Sequence, residues 1–277
     1  MTVGLALGLF GFGLLVGGYG SLVGAGGGFL MVPAFLLLFR FPTPLAVGTS
    51  LAVVFANAAA GSFFYLRQRR IDIRSGLQFA AATVPGAIGG VYLLRLLSAR
   101  AFELIFGVLL VGIGSFMALG PRRADESVPL QRVMDAGASP GMAVRELVDR
   151  KGSRYSYRFI WWRGIALSLV VGAMSSLLGI GGGPLHVPGM VFLLGFPVHV
   201  AIATSHFVLA LSSLVGSLLY LFQGHVHLRT ALLMGAGAVV GARAGTGLAG
   251  RLRGSPILRF LSVALLLIGI RLIMGGR

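Results

Sequence analysis

The chain has no cysteine, a single lysine (Lys151) and only seven acidic residues among 277. Without cysteine it can form no disulfide framework, no thiolate metal site and no cysteine nucleophile. Charged residues make up 11% of the chain, against about 25% in an ordinary soluble protein. That is too little charge to cover a water-soluble core. Soluble, disordered and nucleic-acid-binding classes are therefore excluded, despite a net charge of +16.

Apolar residues dominate what is present, at 56% of the sequence and a mean hydropathy of +0.93. Ten apolar stretches occur, most of them near the ~20 residues that cross ~30 Å of hydrocarbon. They are residues 3–19, 21–39, 45–66, 76–97, 101–119, 160–178, 179–194, 199–222, 230–249 and 257–270. The pattern predicts an all-α, multi-pass integral membrane protein in contact with lipid, with no metal site, no other cofactor and no nucleic-acid partner.

Two of the ten stretches, 21–39 and 179–194, contain three consecutive glycines followed by a proline. Such glycines cost a helix about 1 kcal/mol each, and Pro33 and Pro188 each remove a backbone hydrogen bond. About 12 residues then remain, or ~18 Å of helix, which is too short to cross a bilayer. We therefore predict that both stretches are broken or re-entrant. The glycines are Gly26, Gly27, Gly28, Gly181, Gly182 and Gly183.

The hydrophilic stretch between the two hydrophobic parts holds five of the seven acids. We interpret residues 120–159 as a cytoplasmic connector, with a short helix expected near 142–150. Residues 1–119 and 160–277 are then an N-terminal and a C-terminal membrane repeat. The first apolar stretch is expected to belong to the fold rather than to a cleaved signal peptide, because no basic residue precedes it and the second half contains its counterpart.

An internal repeat relates the two halves at a separation of 155 residues. Positions 21–74 and 176–229 share 22 identities in 54 positions without a gap, which indicates a duplication. The fold expected is two pseudo-symmetric halves of four to five membrane segments each, with eight full spans and two glycine-rich broken or re-entrant segments. If all ten segments cross, the halves are inverted; if the glycine segments are re-entrant, the halves are parallel. Either way 16 Arg and Lys collect on one side and six on the other, so residues 67–74 are expected to be cytoplasmic.

The repeated block Gly-x-Gly-Gly-Gly-x-Leu-x-Val-Pro is followed in both halves by Phe-Pro and by Ala-x-x-Thr-Ser, at 46–50 and 201–205. Together with the stretch 237–243, these motifs resemble the sulfite exporter TauE/SafE family, within the 4-toluene sulfonate uptake permease superfamily. The resemblance implies a secondary transporter and exporter in a prokaryotic inner membrane, not an enzyme. Its substrates would be small sulfur-containing anions such as sulfite, sulfoacetate or other organosulfonates.

Physical reasoning places the solute site at the glycine segments. Non-helical chain survives inside a bilayer only where it lines a cavity or is buried in protein. The amides of two such breaks can converge on one anion, whereas tight packing through small residues is the simpler alternative. We expect alternating access at the interface of the two repeats. An anion-selective channel of the same architecture and a membrane scaffold that binds a partner stay open, as does a homo-oligomer.

Several polar residues near the glycine segments are further candidates for the substrate site. Hydroxyls that follow the Phe-Pro turns either donate to an anion or cap a helix. Asn57 either binds substrate or joins helices. Arg243 is the only arginine well inside a predicted helix, where it either holds an oxyanion or extends to the interface. The candidates are Thr49, Ser50, Asn57, Thr204, Ser205, His206 and Arg243.

Ion coupling has few candidates, because no carboxylate falls in the middle of a predicted span. A relay of buried acids, which many proton-coupled carriers use, is therefore not expected. Histidine titrates near neutral pH and is the alternative proton carrier. The coupling candidates are His186, His199 and Glu103.

Overall fold

The computed structural model of the protein describes residues 3–119, 141–249 and 256–275. The first half contains α1 (Val3–Val23), α2 (Gly28–Leu37), α3 (Thr43–Arg67), α4 (Ile73–Leu94) and α5 (Ala99–Leu119). A hairpin of β1 (Met142–Val148) and β2 (Arg154–Ile160) follows. The second half contains α6 (Trp161–Leu178), α7 (Gly183–Pro188), α8 (Val198–Phe222), α9 (Leu228–Leu248) and α10 (Pro256–Met274). A π-helical turn, Gly189–Leu193, continues α7.

Within the described residues, six helices are long and apolar enough to span a membrane, namely α1, α3, α4, α6, α8 and α9. The glycine-rich segments instead form α2 and α7, of ten and six residues. At 1.5 Å per residue neither helix can cross a bilayer. The mostly helical structure agrees with the predicted all-α membrane protein, apart from the hairpin.

The starts of the long helices follow from local sequence. Pro42 precedes α3 and Pro44 lies in its first turn, where proline costs no helical hydrogen bond. The Asp72 carboxylate caps α4 by accepting from the Ser75 amide at 3.1 Å. His227, 155 residues after Asp72, caps α9 in the same way, because its Nδ1 accepts from the Thr230 amide at 3.4 Å.

Hydrogen bonds between helices and the close contacts of glycines give the directions in which the helices run. Thr49 binds His227 and Gln68 binds Thr246, so α3 and α9 run parallel. α1 also runs parallel to α9, since Gly13 contacts Met234 and Gly17 contacts Ala238. α3 and α8 run antiparallel, because Gly48 contacts Tyr220 and Gly61 contacts His206.

α2 therefore reverses the chain, because α1 and α3 run in the same direction. The reversal takes place deep inside the bundle. Gly26 lies against Val54 midway along α3 and against Leu209 midway along α8, and Gly181 contacts the same two side chains. Both glycine breaks consequently lie at the middle depth of the bundle.

The short helix expected near 142–150 is wrong, because Met142–Val148 forms β1 and pairs antiparallel with β2. Aromatic residues at every second position of β2 explain the strand. The side chains of Tyr155, Tyr157 and Phe159 are buried, and they pack in one cluster with Phe79 of α4 and Phe196 of the α7–α8 connection.

The hairpin is fastened to the turn between α3 and α4. Arg70 and Asp149 form an almost fully buried ion pair at 3.2 Å. The Tyr157 hydroxyl donates to the Asp72 carboxylate at 2.8 Å, and Arg145 lies 3.6 Å from that carboxylate. Burial acts to raise the pKa of Asp149. The amides of Ser153 and Lys151 and the Arg70 guanidinium outweigh it and hold that pKa below its ordinary value.

Candidate substrate site at the glycine breaks

Each glycine break consists of backbone in the left-handed region. In the first break φ is 81° at Gly24, 70° at Gly26 and 85° at Gly27. In the second break the matching residues Gly179, Gly181 and Gly182 have φ of 70°, 81° and 73°. Residues with a Cβ rarely adopt this conformation, which explains why the motif is rich in glycine. The predicted breaks are thus present at residues 24–27 and 179–182, and Gly28 and Gly183 are the first residues of the helices that follow.

The two breaks are in direct contact with each other. Gly28, the first residue of α2, lies against the carbonyl of Gly179 and the backbone of Ile180. Gly183, the first residue of α7, lies in the matching way against the carbonyl of Gly24 and the backbone of Ala25. A side chain at either Gly28 or Gly183 would overlap the opposite break. Glycine here permits backbone to meet backbone.

Both breaks offer backbone amides at the start of a helix. Within the described residues, the amides of Gly27, Gly28 and Phe29 donate no hydrogen bond, nor do those of Gly182 and Gly183. Unpaired N–H groups at a helix N-terminus, together with the helix dipole, attract anions. Two such N-termini therefore lie close together at the middle of the bundle.

The hydroxyls of the two Thr-Ser pairs, for which anion binding and helix capping are the predicted alternatives, have different partners in the structure. Thr49 Oγ1 accepts from the His227 amide at 2.9 Å, and Thr204 Oγ1 accepts from the Asp72 amide at 3.1 Å. Both threonines therefore hold the start of a neighbouring helix. Ser50 Oγ donates to the Gly179 carbonyl at 2.8 Å and so binds the second break.

Asn57 and Ser205 also lie at buried positions of the central helices. In the side chain of Asn57, Nδ2 donates to the Gly26 carbonyl at 3.1 Å and Oδ1 accepts from Ser21 Oγ at 3.0 Å. These two hydrogen bonds fix the first break. Ser205 Oγ is buried and has no hydrogen-bond partner within the described structure. Asn57 thus shapes the break, whereas Ser205 keeps a hydroxyl available.

His206 is completely buried on α8, and neither of its ring nitrogens has a hydrogen-bond partner among the described residues. Its ring lies beside Gly61 and 5.7 Å from the Tyr65 ring, measured between centroids. A buried polar group without a partner is costly, so such a group binds an ordered water, an ion or a ligand, or holds strain. His206 is the strongest side-chain candidate for contact with a solute.

The three coupling candidates do not form a cluster. His186 Nε2 lies 3.2 Å from Ser168 Oγ, between α7 and α6. His199 is in the first turn of α8 and is half-buried. Glu103 lies on α5, 3.9 Å from Arg100. Within the described residues no three His, Asp or Glu side chains gather as a metal site would require.

Arg243 is exposed on α9, away from the breaks. The face of α9 that packs on α1 is formed by small residues, including Gly237 and Gly241. Arg243 and Val240 lie on the outer face. The predicted alternatives for Arg243 were an oxyanion ligand and extension to the interface, and its position agrees with the second.

Sequence comparisons place these features in a known family. The family described as Sulfite exporter TauE/SafE matches residues 9–272. The chain belongs to this family. It is 34% identical over 271 residues to the Bacillus subtilis protein named "Probable membrane transporter protein YunE", covering 95% of this chain and 96% of the relative.

Other TauE/SafE relatives show the same full-length similarity. A "Probable membrane transporter protein" of Xylella fastidiosa is 28% identical over 256 residues, covering 92% of this chain and 89% of the relative. The Escherichia coli protein named "Probable membrane transporter protein YfcA" is 24% identical over 246 residues, covering 89% and 81%. No solved structure matches the chain. This TauE/SafE protein is accordingly a multi-pass membrane protein of a transporter family and not of an enzyme family.

A cavity of about 530 Å³ adjoins both breaks of the TauE/SafE protein. Ala25 of the first break and Gly183 of the second contribute to its wall, and Leu109 and Ile113 of α5 close it on another side. Its lining contains no charged residue. Space therefore exists beside the breaks, but this cavity by itself does not offer a site for an anion.

Two tyrosines hold the ends of the helices that lead into the breaks, which sequence reasoning did not assign. The Tyr65 hydroxyl donates to the Ser21 carbonyl in α1 at 2.7 Å. The Tyr220 hydroxyl donates to the Ser176 carbonyl in α6 at 3.0 Å. The repeat did contain a signal, because Tyr65 and Tyr220 are identical residues 155 positions apart.

We expect Tyr65→Phe and Tyr220→Phe each to destabilise the protein by about 1 kcal/mol, because each change leaves a buried carbonyl without its donor. Tyr92→Phe is the matched control, since Tyr92 is half exposed on α4. Thermal unfolding in detergent measures the effect. Equal melting temperatures for all three variants would contradict the proposed role of the two hydroxyls.

Proposed function

We propose that this protein is a secondary transporter that exports small sulfur-containing anions, such as sulfite, sulfoacetate or other organosulfonates. The observation that supports this most directly is the contact between two half-helix N-termini at the middle of the bundle. The free amides of Gly28, Phe29 and Gly183 provide donors for an oxyanion without any charged side chain. Breaks of this kind at the interface of repeats are typical of substrate sites in secondary transporters.

The proposed transporter consists of two inverted halves, α1–α5 and α6–α10. Helices α3 and α8 are counterparts in the sequence repeat, and they cross antiparallel at Val54 and Leu209. A two-fold axis that relates antiparallel helices must be perpendicular to them, and so lies in the membrane plane. This arrangement supports inverted halves, although α2 and α7 are too short to cross the membrane. In the first half α2 returns the chain between the parallel helices α1 and α3, so successive segments alternate in direction as they would if all ten crossed. The start of α1 then lies on the side opposite the hairpin. The basic residues of the α3–α4 turn then face the cytoplasm, in agreement with the positive-inside rule.

The proposed binding site combines the two breaks with buried polar groups of α3 and α8. Gly26, Gly27 and Gly28 and their counterparts Gly181, Gly182 and Gly183 provide the backbone. Ser205 and His206 provide side-chain donors, because their polar atoms are buried and unpartnered among the described residues. Ser50 and Asn57 hold the breaks in shape through the carbonyls of Gly179 and Gly26.

Alternating access explains the close packing of the breaks better than a channel does. A channel needs a continuous open path, whereas here the backbones of the two breaks touch at Gly28 and Gly183. Movement of one half against the other would separate them and admit the anion from one side at a time. Export needs no ion coupling, because an anion leaving an inside-negative cell gains about 2.3 kcal/mol per charge per 100 mV.

Purified protein in liposomes loaded with sulfite tests the proposal. We expect saturable efflux that accelerates when unlabelled sulfite is present outside, because a carrier exchanges substrate faster than it returns empty. Sulfite-loaded liposomes without the protein are one control. Proteoliposomes loaded with dimethyl sulfone, a neutral analogue, are the other. Efflux that rises linearly with the internal sulfite concentration, and that external sulfite does not accelerate, would establish a channel instead. Movement of the neutral analogue alone would overturn the assignment to anions.

A further inference from the structure

The position of Arg243 needs an explanation outside the transport pathway. The outer face of α9 is apolar, with Val239 41% exposed, Val240 52% and Leu248 47%. Such a face is in contact with acyl chains in a bilayer. An arginine there is costly unless its guanidinium reaches a polar group. Arg243 precedes Leu248, the last residue of α9, by five residues, or about 7.5 Å of helix. Its side chain is long enough to reach the headgroup region at the hairpin end of the protein.

Two surface depressions meet next to Arg243. The first, of about 440 Å³, lies along α9 and is formed by Val240, Arg243, Ala244, Gly247 and Leu248. The second, of about 420 Å³, lies between the end of α9 and the hairpin turn, and is formed by Gln68, Arg70, Asp149, Arg150, Lys151, Thr246 and Gly247. Gly247 belongs to both, and a Cβ at this residue would meet nothing within 4 Å. An apolar groove therefore leads into a basic pocket.

The basic pocket keeps its positive charge. Both carboxylate oxygens of Asp149, the acid in its wall, already accept hydrogen bonds. Oδ1 accepts from the backbone amides of Lys151 and Ser153, and Oδ2 accepts from Arg70. Among the described residues, the side chains of Arg150, Lys151 and Arg243 form no ion pair. Three cations therefore surround the junction of the two depressions.

We propose that this groove binds one anionic phospholipid of the cytoplasmic leaflet. Arg243, Arg150 and Lys151 hold the phosphate of the headgroup, and one acyl chain lies along Val240 and Ala244. Charge and shape both favour this occupant, because the pocket is cationic and adjoins, at Gly247, an apolar groove open to the membrane. Basic pockets of this kind at the cytoplasmic side of transmembrane helices are suited to anionic headgroups. The site is separate from the glycine breaks and does not depend on the transported solute.

Retention of phosphatidylglycerol by the purified full-length protein, measured by native mass spectrometry against phosphatidylcholine, tests the site. We expect Arg243→Gln and Lys151→Gln each to lower the affinity for phosphatidylglycerol about fivefold, and the double variant about 25-fold. Arg243→Lys should retain most of the binding. Arg163→Gln is the matched control, because Arg163 is exposed at the start of α6 but lies outside the groove.

Melting temperatures in the presence of phosphatidylglycerol, phosphatidylcholine or inorganic phosphate give a second measurement. The wild-type protein should be stabilised by phosphatidylglycerol alone, and Arg243→Gln should lose that stabilisation while keeping the melting temperature seen in phosphatidylcholine. Equal stabilisation by inorganic phosphate would show a site for a soluble anion and overturn the proposal. Unchanged retention of phosphatidylglycerol in the double variant would overturn it as well.

Discussion

Alanine in place of Gly28 or Gly183 should lower the transport rate at least about tenfold and destabilise the protein by about 1–3 kcal/mol. The added methyl group would overlap the backbone of the opposite break, at Gly179 for Gly28 and at Gly24 for Gly183. The two breaks must then move apart, which displaces the free amides from the positions at which they would meet one anion. Sulfite efflux from liposomes and thermal unfolding measure the two effects.

Gly89→Ala is the control for this experiment. Gly89 is also helical, on α4, but a Cβ there would meet nothing within 4 Å. Alanine is the better helix former, so this variant should be as active as the wild type and slightly more stable. If Gly28→Ala and Gly183→Ala behave like Gly89→Ala, contact between the breaks is not needed for transport.

Arg70→Ala should release the hairpin from the helices and destabilise its docking by about 3 kcal/mol. The change leaves the Asp149 carboxylate buried, with its two amide donors but without its cation. Arg70→Ala combined with Asp149→Ala should be less harmful than Arg70→Ala alone, because no unpaired charge remains. Hydrogen exchange of the β1 and β2 amides measures docking. Arg154→Ala, at an exposed position that begins β2, should leave the exchange unchanged.

Docking of the hairpin should also weaken in acid. The pKa of Asp149 lies below its ordinary value in the folded protein, so the carboxylate contributes stability above the ordinary pKa near 4. That contribution is lost as the pH falls through the lower pKa of the folded state. Asp149→Asn combined with Arg70→Ala should remove this part of the pH dependence. Identical acid sensitivity in that double variant would assign the effect to other groups.

The features that the sequence predicted correctly are those set by backbone chemistry. Consecutive glycines readily adopt left-handed backbone that ends a helix, so the breaks next to Gly28 and Gly183 followed from residue type alone. Thr49 and Thr204 were harder to assign, because a hydroxyl at such a position can bind either a solute or a neighbouring helix. Only the arrangement of α9 beside α3 places the His227 amide next to Thr49.

The remaining differences between the predictions and the structure arise from tertiary contacts, which the spacing of residues along the sequence cannot reveal. Arg243 could be placed at a depth in the membrane, but the face of α9 on which it lies depends on the packing of Gly237 and Gly241 against α1. The hairpin was missed because its stability depends on Phe79 and Phe196, which are distant in sequence. Residues 120–140, the first part of the connector, lie outside the described residues.

Helices of one half pack mainly on helices of the other half, and this has a consequence for biosynthesis. α1 packs on α9, α4 on α6 and α5 on α10, so the principal neighbours of these helices belong to the other half. The first five helices therefore leave the translocon before their partners have been synthesised, and their glycine faces remain against lipid until then. Assembly must wait for the end of translation. Separately expressed halves should be rapidly degraded when alone and protected when produced together.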